Sequence, residues 1–160
     1  VSGGAGGGRV LSAAQLATLS AIQDRLIPPD GALPGAGAGG AARRVDDLVA
    51  ERPEWAPDLL AALEGVEAAA GAGRPAPGGG FLGLDAAGRD AALRRVEGEQ
   101  PHLFRRLLRL TYSAYYTDFD VLAAAGYNAE PPLPRGYPLD PFDEARLDPV
   151  RRRGKLWRDA

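Results

Sequence analysis

The side chains able to do covalent or acid–base chemistry are few. His102 is the single imidazole, and there is no cysteine. Disulfides, thiolate-held zinc, iron–sulfur clusters, covalent haem attachment and multi-histidine metal sites are therefore excluded. Nucleophilic catalysis needs a nucleophile within hydrogen-bond reach of a base. His102 follows Pro101 at the start of a helical stretch, where a surface or capping role explains it. The carboxylates Asp46, Asp47, Glu64, Glu67, Glu97, Glu99, Asp118 and Asp120 are scattered. An acid–base pair needs two environments that split its pKa values, and nothing marks such a pair. Asp118 and Asp120 have the chemistry to hold a cation, yet Asp118 reads better as a helix cap. Gly35, Gly37 and Gly40 satisfy G-x-G-x-x-G. That motif binds a dinucleotide only after a strand in a βαβ unit; here a Pro-rich turn precedes it, and a flexible surface loop is expected. No catalytic, cofactor-binding or metal-binding residue is assigned.

The chemistry that remains is that of recognition. At about 100° per residue, Leu103, Phe104, Leu107, Leu108, Leu110, Thr111, Ala114 and Tyr115 share an arc of about 160°, a core-facing stripe. Arg105, Arg106 and Arg109 fall opposite, and Tyr112 and Tyr116 fall with them. A core does not need aromatic rings on a basic face. They either cover arginine stems, pack under the arm that follows, or meet a partner, and Tyr and Arg are enriched among interface hot spots. Further anchors follow in a proline-rich stretch. The expected partner-binding residues are Arg105, Arg109, Tyr112, Tyr116, Tyr127, Tyr137, Phe142 and Trp157.

Helices must position these side chains, since no alternating run of β-branched residues announces a strand. The expected fold is all-α: a small irregular bundle of about five or six helices with an extended Pro-rich C-terminal arm. Ser12 and Gln15 form a capping box behind Leu11, and Pro28–Pro29 ends the helix it starts. Val45, Leu48 and Val49 mark a second helix, stopped by Pro53. Trp55, Leu59, Leu60, Leu63 and Val66 form the apolar set of a third. Residues 71–80 read as a linker, and Phe81, Leu82 and Leu84 as a local plug. Asp85 caps a helix carrying Leu93 and Val96, and Pro101 opens the basic one. A short helix over 119–125 stops at Gly126. Residues 1–10 are expected to be a flexible tail, 11–126 the helical domain and 127–160 the arm. Within the arm, Asp143–Leu147 and Pro149–Arg153 each have the makings of about one helical turn.

Composition sets bounds on function. With 160 residues the chain is long enough to bury a core. Much of its hydrophobic content is alanine, so that core is thin. The net charge of −2 lacks the basic excess of a nucleic-acid binder. No run approaches the ~20 apolar residues of a membrane span.

The opening LSAAQLATLSAIQDRLIPPD, the central FLGLD before a helix, and LLRLTYSAYYTD leading to GYNAEPPLPRGY resemble the gluconate 2-dehydrogenase subunit 3 family. The sharpest marks are the Leu-Ser-x-x-Gln start, Arg25-Leu26-Ile27-Pro28, Tyr115-Tyr116, Gly126-Tyr127 and Pro134-x-Gly136-Tyr137. The resemblance covers roughly residues 11–137. It implies a small helical gamma-type subunit that accompanies a large FAD-dependent oxidoreductase of the glucose-methanol-choline type. The large subunit would hold the FAD and oxidise a sugar, glycoside or other alcohol; the small one would be non-catalytic and stabilise it or aid its maturation or export. Members often carry a twin-arginine signal. Arg43-Arg44 here is internal, so the compartment stays open: cytoplasmic as the chain stands, periplasmic or exported if a signal was removed or a partner supplies it. The alternative from the residues alone is a stand-alone helical binding or scaffold module.

Overall fold

The computed structural model describes residues 7–71, 79–127 and 141–154. They fall into two units, one within residues 1–129 and one within 130–160. Among the described residues the chain is all-α, with seven α-helices and three short 3-10 turns. The first unit holds α1 (Ala13–Leu26), α2 (Ala41–Glu51), α3 (Ala56–Gly71), α4 (Ala86–Glu99), α5 (Pro101–Tyr115) and α6 (Phe119–Ala124). The second holds a 3-10 turn, Glu144–Leu147, and α7 (Asp148–Arg153), at the two places where helical turns are expected. Residues 128–140 of the Pro-rich arm, which include Tyr137, residues 155–160, which include Trp157, and most of the 71–80 linker lie outside the described residues.

Helix α5 packs against α2, α3 and α4, while α1 packs on α2 and α4. Its apolar arc supplies Phe104, Leu107, Leu110, Ala114 and Tyr115 to the core, which α1 completes with Leu16, Leu19 and Ile22, α2 with Val45 and Val49, and α3 with Leu59 and Val66. The capping box of α1 is formed: the Gln15 amide N–H donates to Ser12 Oγ at 3.2 Å, and the Ser12 N–H donates to Gln15 Oε1 at 2.9 Å. Asp85 caps α4 through the Gly88 N–H at 2.8 Å. Gly126, at φ +78, ends α6. Its N–H donates to the Ala123 carbonyl and the Tyr127 N–H to the Leu122 carbonyl, the paired pattern of a Schellman stop. Trp55 stands outside the helix expected to carry it, in a 3-10 turn (Pro53–Trp55) before α3. Pro53 pre-sets that tight turn, and the half-buried ring packs on the core with the Arg52 guanidinium 4.6 Å from its centroid.

Residues 31–42 differ most from expectation. The glycine-rich stretch is a packed connection rather than a flexible surface loop. Ala36 is fully buried, and its N–H donates to the Ile27 carbonyl at 3.0 Å. The Gly37 N–H donates to Asp24 Oδ1 at 2.8 Å, and the Gly37 carbonyl accepts from Ser20 Oγ at 3.1 Å. A Cβ at Gly37 would overlap the Ser20 carbonyl oxygen, and one at Gly35 would come within 2.6 Å of Asp24 Oδ1. The glycines are there because the loop lies flush on α1.

Asp24 is one of three carboxylates that fasten connections. Asp46, only 3% exposed, accepts the N–H groups of Arg9, Val10 and Leu11, the latter two at 2.9 and 2.7 Å. The chain is therefore held from Arg9 onward, before α1 starts. Glu67 accepts the Phe81 N–H at 2.9 Å and the Thr18 hydroxyl at 2.8 Å, seating Phe81 in the core. Burial pushes the Asp46 carboxyl up, but the three backbone donors outweigh it and hold it below the usual carboxylate range. Asp90, bonded by Arg25 at 2.7 and 2.8 Å, is also held low, first by that hydrogen bond.

A depressed folded-state pKa gives stability that is complete above the ordinary carboxylate value of about 3.9 and is lost as pH falls through the folded value. Asp46→Asn should lower stability at neutral pH by about 1–3 kcal/mol and flatten the loss below about pH 4, read by urea unfolding across pH. Gly37→Ala should destabilise by about 1–3 kcal/mol through overpacking. Gly98→Ala, in α4 with nothing near a new Cβ, should stabilise by about 0.5 kcal/mol; thermal unfolding of both variants checks the contrast.

Candidate functional site

Pro101 supplies the fixed φ of a first helical turn, and α5 then runs without a single acidic residue. Its buried arc locks the helix rotation. That rotation turns His102, Arg105, Arg109, Tyr112 and Tyr116 outward, and all five are exposed. They are spaced 3, 4, 3 and 4 residues apart, so they line one face.

The two halves of this face differ in chemistry. Toward the N-terminus lies a shallow cleft of about 260 Å³ lined by Asp58, His102, Arg105, Arg106 and Arg109. Arg106 is committed within it: its Nε donates to Asp58 at 3.0 Å, and its guanidinium lies 5.7 Å from the Trp55 ring centroid. Among the described residues neither Arg105 nor Arg109 forms an ion pair. Toward the C-terminus the face is aromatic. Tyr112 is 45% and Tyr116 53% exposed, with ring centroids 6.2 Å apart. Phe119, the first residue of α6, is 74% exposed.

Tyr115, the neighbour of Tyr116, points inward. It is 2% exposed, and its hydroxyl donates to the Pro34 carbonyl at 2.7 Å, joining α5 to the glycine-rich connection. Its ring meets the Tyr116 ring edge-on at 5.0 Å. Burial, then Tyr116 and Asp118, pushes its phenol pKa up. Asp118 caps α6, accepting the Asp120 N–H at 2.7 Å, and pairs with Arg44 of α2. Arg44 also donates to the Gly39 carbonyl at 2.7 Å. Asp118 is thus occupied by capping and an ion pair. Among the described residues no group of three His, Cys, Asp or Glu side chains is placed to hold a metal ion.

Of the residues expected to meet a partner, Arg105, Arg109, Tyr112 and Tyr116 share the outer face of α5. Tyr127 lies just past the α6 stop and is 54% exposed. Phe142 belongs to the second unit and is 66% exposed there. In that unit Arg151 pairs with Glu144 and Asp148 at 3.7 and 3.8 Å. His102 and Arg106, which complete the cleft, are not among the residues expected to meet a partner. Their signal was available: His102 falls one step along the same 3-4 spacing, and Arg106 is the third arginine of the basic side.

The family model for gluconate 2-dehydrogenase subunit 3 matches residues 13–128. The match covers well over half of the chain, and the chain belongs to that family. It includes α1 to α6 and the whole α5 face. No curated protein and no solved structure matches. Among the described residues no helix is long and apolar enough to cross a membrane.

Tyr115→Phe removes the hydroxyl that satisfies the Pro34 carbonyl. It should cost about 1–2 kcal/mol and leave the outer face intact. Unfolding curves read the cost. Alkaline ultraviolet titration should show a phenol of raised pKa missing from the variant.

Proposed function

We propose that this chain is a non-catalytic small subunit that binds and stabilises a large FAD-dependent oxidoreductase acting on a sugar, glycoside or other alcohol. The family description names a subunit of a dehydrogenase, which supports an accessory role. The observation that carries the reading is the outer face of α5. Arg105 and Arg109, which form no ion pair among the described residues, and two half-exposed tyrosines contribute nothing to this chain's own core. Such residues supply binding energy when a partner excludes water from them. The chemistry at hand supports the same reading, because His102 is exposed and the internal carboxylates are taken up by backbone donors and ion pairs. The FAD and the hydride transfer then belong to the large subunit. This chain contributes docking, with Tyr127, Tyr137, Phe142 and Trp157 as further anchors beyond α5.

Co-expression with any large FAD-dependent oxidoreductase chain encoded beside this one, followed by co-purification and a flavin spectrum, tests the reading. The expected result is a yellow heteromer, with the large chain insoluble or flavin-free when this chain is omitted. A colourless, well-folded monomer that leaves its neighbour's solubility and flavin content unchanged would sink the reading.

A further inference from the structure

The face of α5 also carries information about what covers it. We infer that it is a seam for an acidic amphipathic helix of the large subunit. Carboxylates of that helix meet Arg105 and Arg109 at the cleft, where Arg106 is already held by Asp58, and an apolar or aromatic side chain lies over Tyr112 and Tyr116. The inference rests on the subunit reading above and adds the chemistry and register of the contact.

Three observations carry it. The first is spacing. His102, Arg105, Arg109, Tyr112 and Tyr116 repeat at 3 and 4 residues along a straight edge of about 21 Å at 1.5 Å per residue. That spacing makes the five side chains one continuous edge, along which an incoming helix can lie. The second is charge. α5 has no acidic residue, the chain as a whole carries −2, the cleft's carboxylate, Asp58, is paired with Arg106, and Arg105 and Arg109 lack a carboxylate among the described residues. The positive charge is therefore local and directional, and a partner must bring the opposite sign to bury it without leaving charges unpaired. The third is asymmetry. Charge occupies the N-terminal half and aromatic surface the C-terminal half, so only one direction of the incoming helix matches both. A second copy of this chain fits poorly: antiparallel pairing centred on Arg109 sets that guanidinium against its own copy.

The test uses the co-expressed complex. Arg105→Glu with Arg109→Glu should reduce co-purified large chain at least tenfold. Arg95→Glu, on the exposed side of α4, should leave it unchanged. Both substituted arginines are exposed, so the thermal midpoint of the isolated chain should hold; Arg105→Gln with Arg109→Gln repeats the test if the reversal does not fold. A photo-crosslinking phenylalanine analogue at Tyr112 should capture one peptide of the large chain with two or more Asp or Glu spaced 3 or 4 apart. A complex that survives both arginine double variants, a captured peptide without carboxylates, or a homodimer closed by these residues would overturn the inference while leaving the subunit reading standing. Failure of the wild-type pair to form any complex would instead bring down the subunit reading, and the seam with it.

Discussion

A carboxylate reaching from a helix to the backbone N–H groups of a connecting segment is the interaction this fold depends on. The core is thin, because many of its buried side chains are alanines, at positions 36, 41, 42, 62, 70, 92 and 114. Long connections must then lie close to the helices to keep water out. A backbone donor buried without an acceptor costs about 1–3 kcal/mol, so each close approach needs an answer. Asp24 answers for residues 37 and 38, Asp46 for residues 9 to 11, and Glu67 for residue 81. Asp118 does the same for the first turn of α6 while pairing with Arg44.

This inward use of carboxylates shapes the outside as well. Acidic side chains spent on connections are not available to neutralise α5. Arg25 and Arg44 find partners between helices, and Arg106 finds Asp58. Arg105 and Arg109 are left facing solvent together with two tyrosines. The buried arc of α5, fastened further by the Tyr115 hydroxyl on Pro34, fixes the helix rotation. The exposed edge is therefore presented by a rigid element rather than by a loop, which would lower the entropic cost of the docking proposed for it.

The helices were legible in the sequence because their signals are local: Ser12 and Gln15, Pro28, Pro53, Asp85, Pro101 and Gly126 each mark an end by their own backbone chemistry. The division of α5 into a buried arc and an outer face was legible from period alone. The carboxylate fastenings were not, because each joins residues far apart in sequence. One signal was present and unread. Asp46 sits with Ala42, Val45 and Val49 at i, i+3, i+4 and i+7 spacing, and Glu67 with Leu63, Val66 and Ala70. An acid on an apolar face must have a partner. The glycine-rich connection misled for a related reason: Gly35 and Gly37 allow close backbone approach, which in sequence looks the same as flexibility.

Membership of the gluconate 2-dehydrogenase subunit 3 family and the α5 face point the same way, toward a chain whose outer surface is completed by another protein. Hydroxyl-radical footprinting of the chain alone and in its co-purified complex measures that completion directly. The account predicts that oxidation of Tyr112, Tyr116 and Phe119 falls severalfold in the complex, while exposed Leu82 on the first unit keeps its reactivity. Unchanged oxidation of the α5 aromatics in an intact complex would contradict it, and the docking surface would have to be sought elsewhere on the chain.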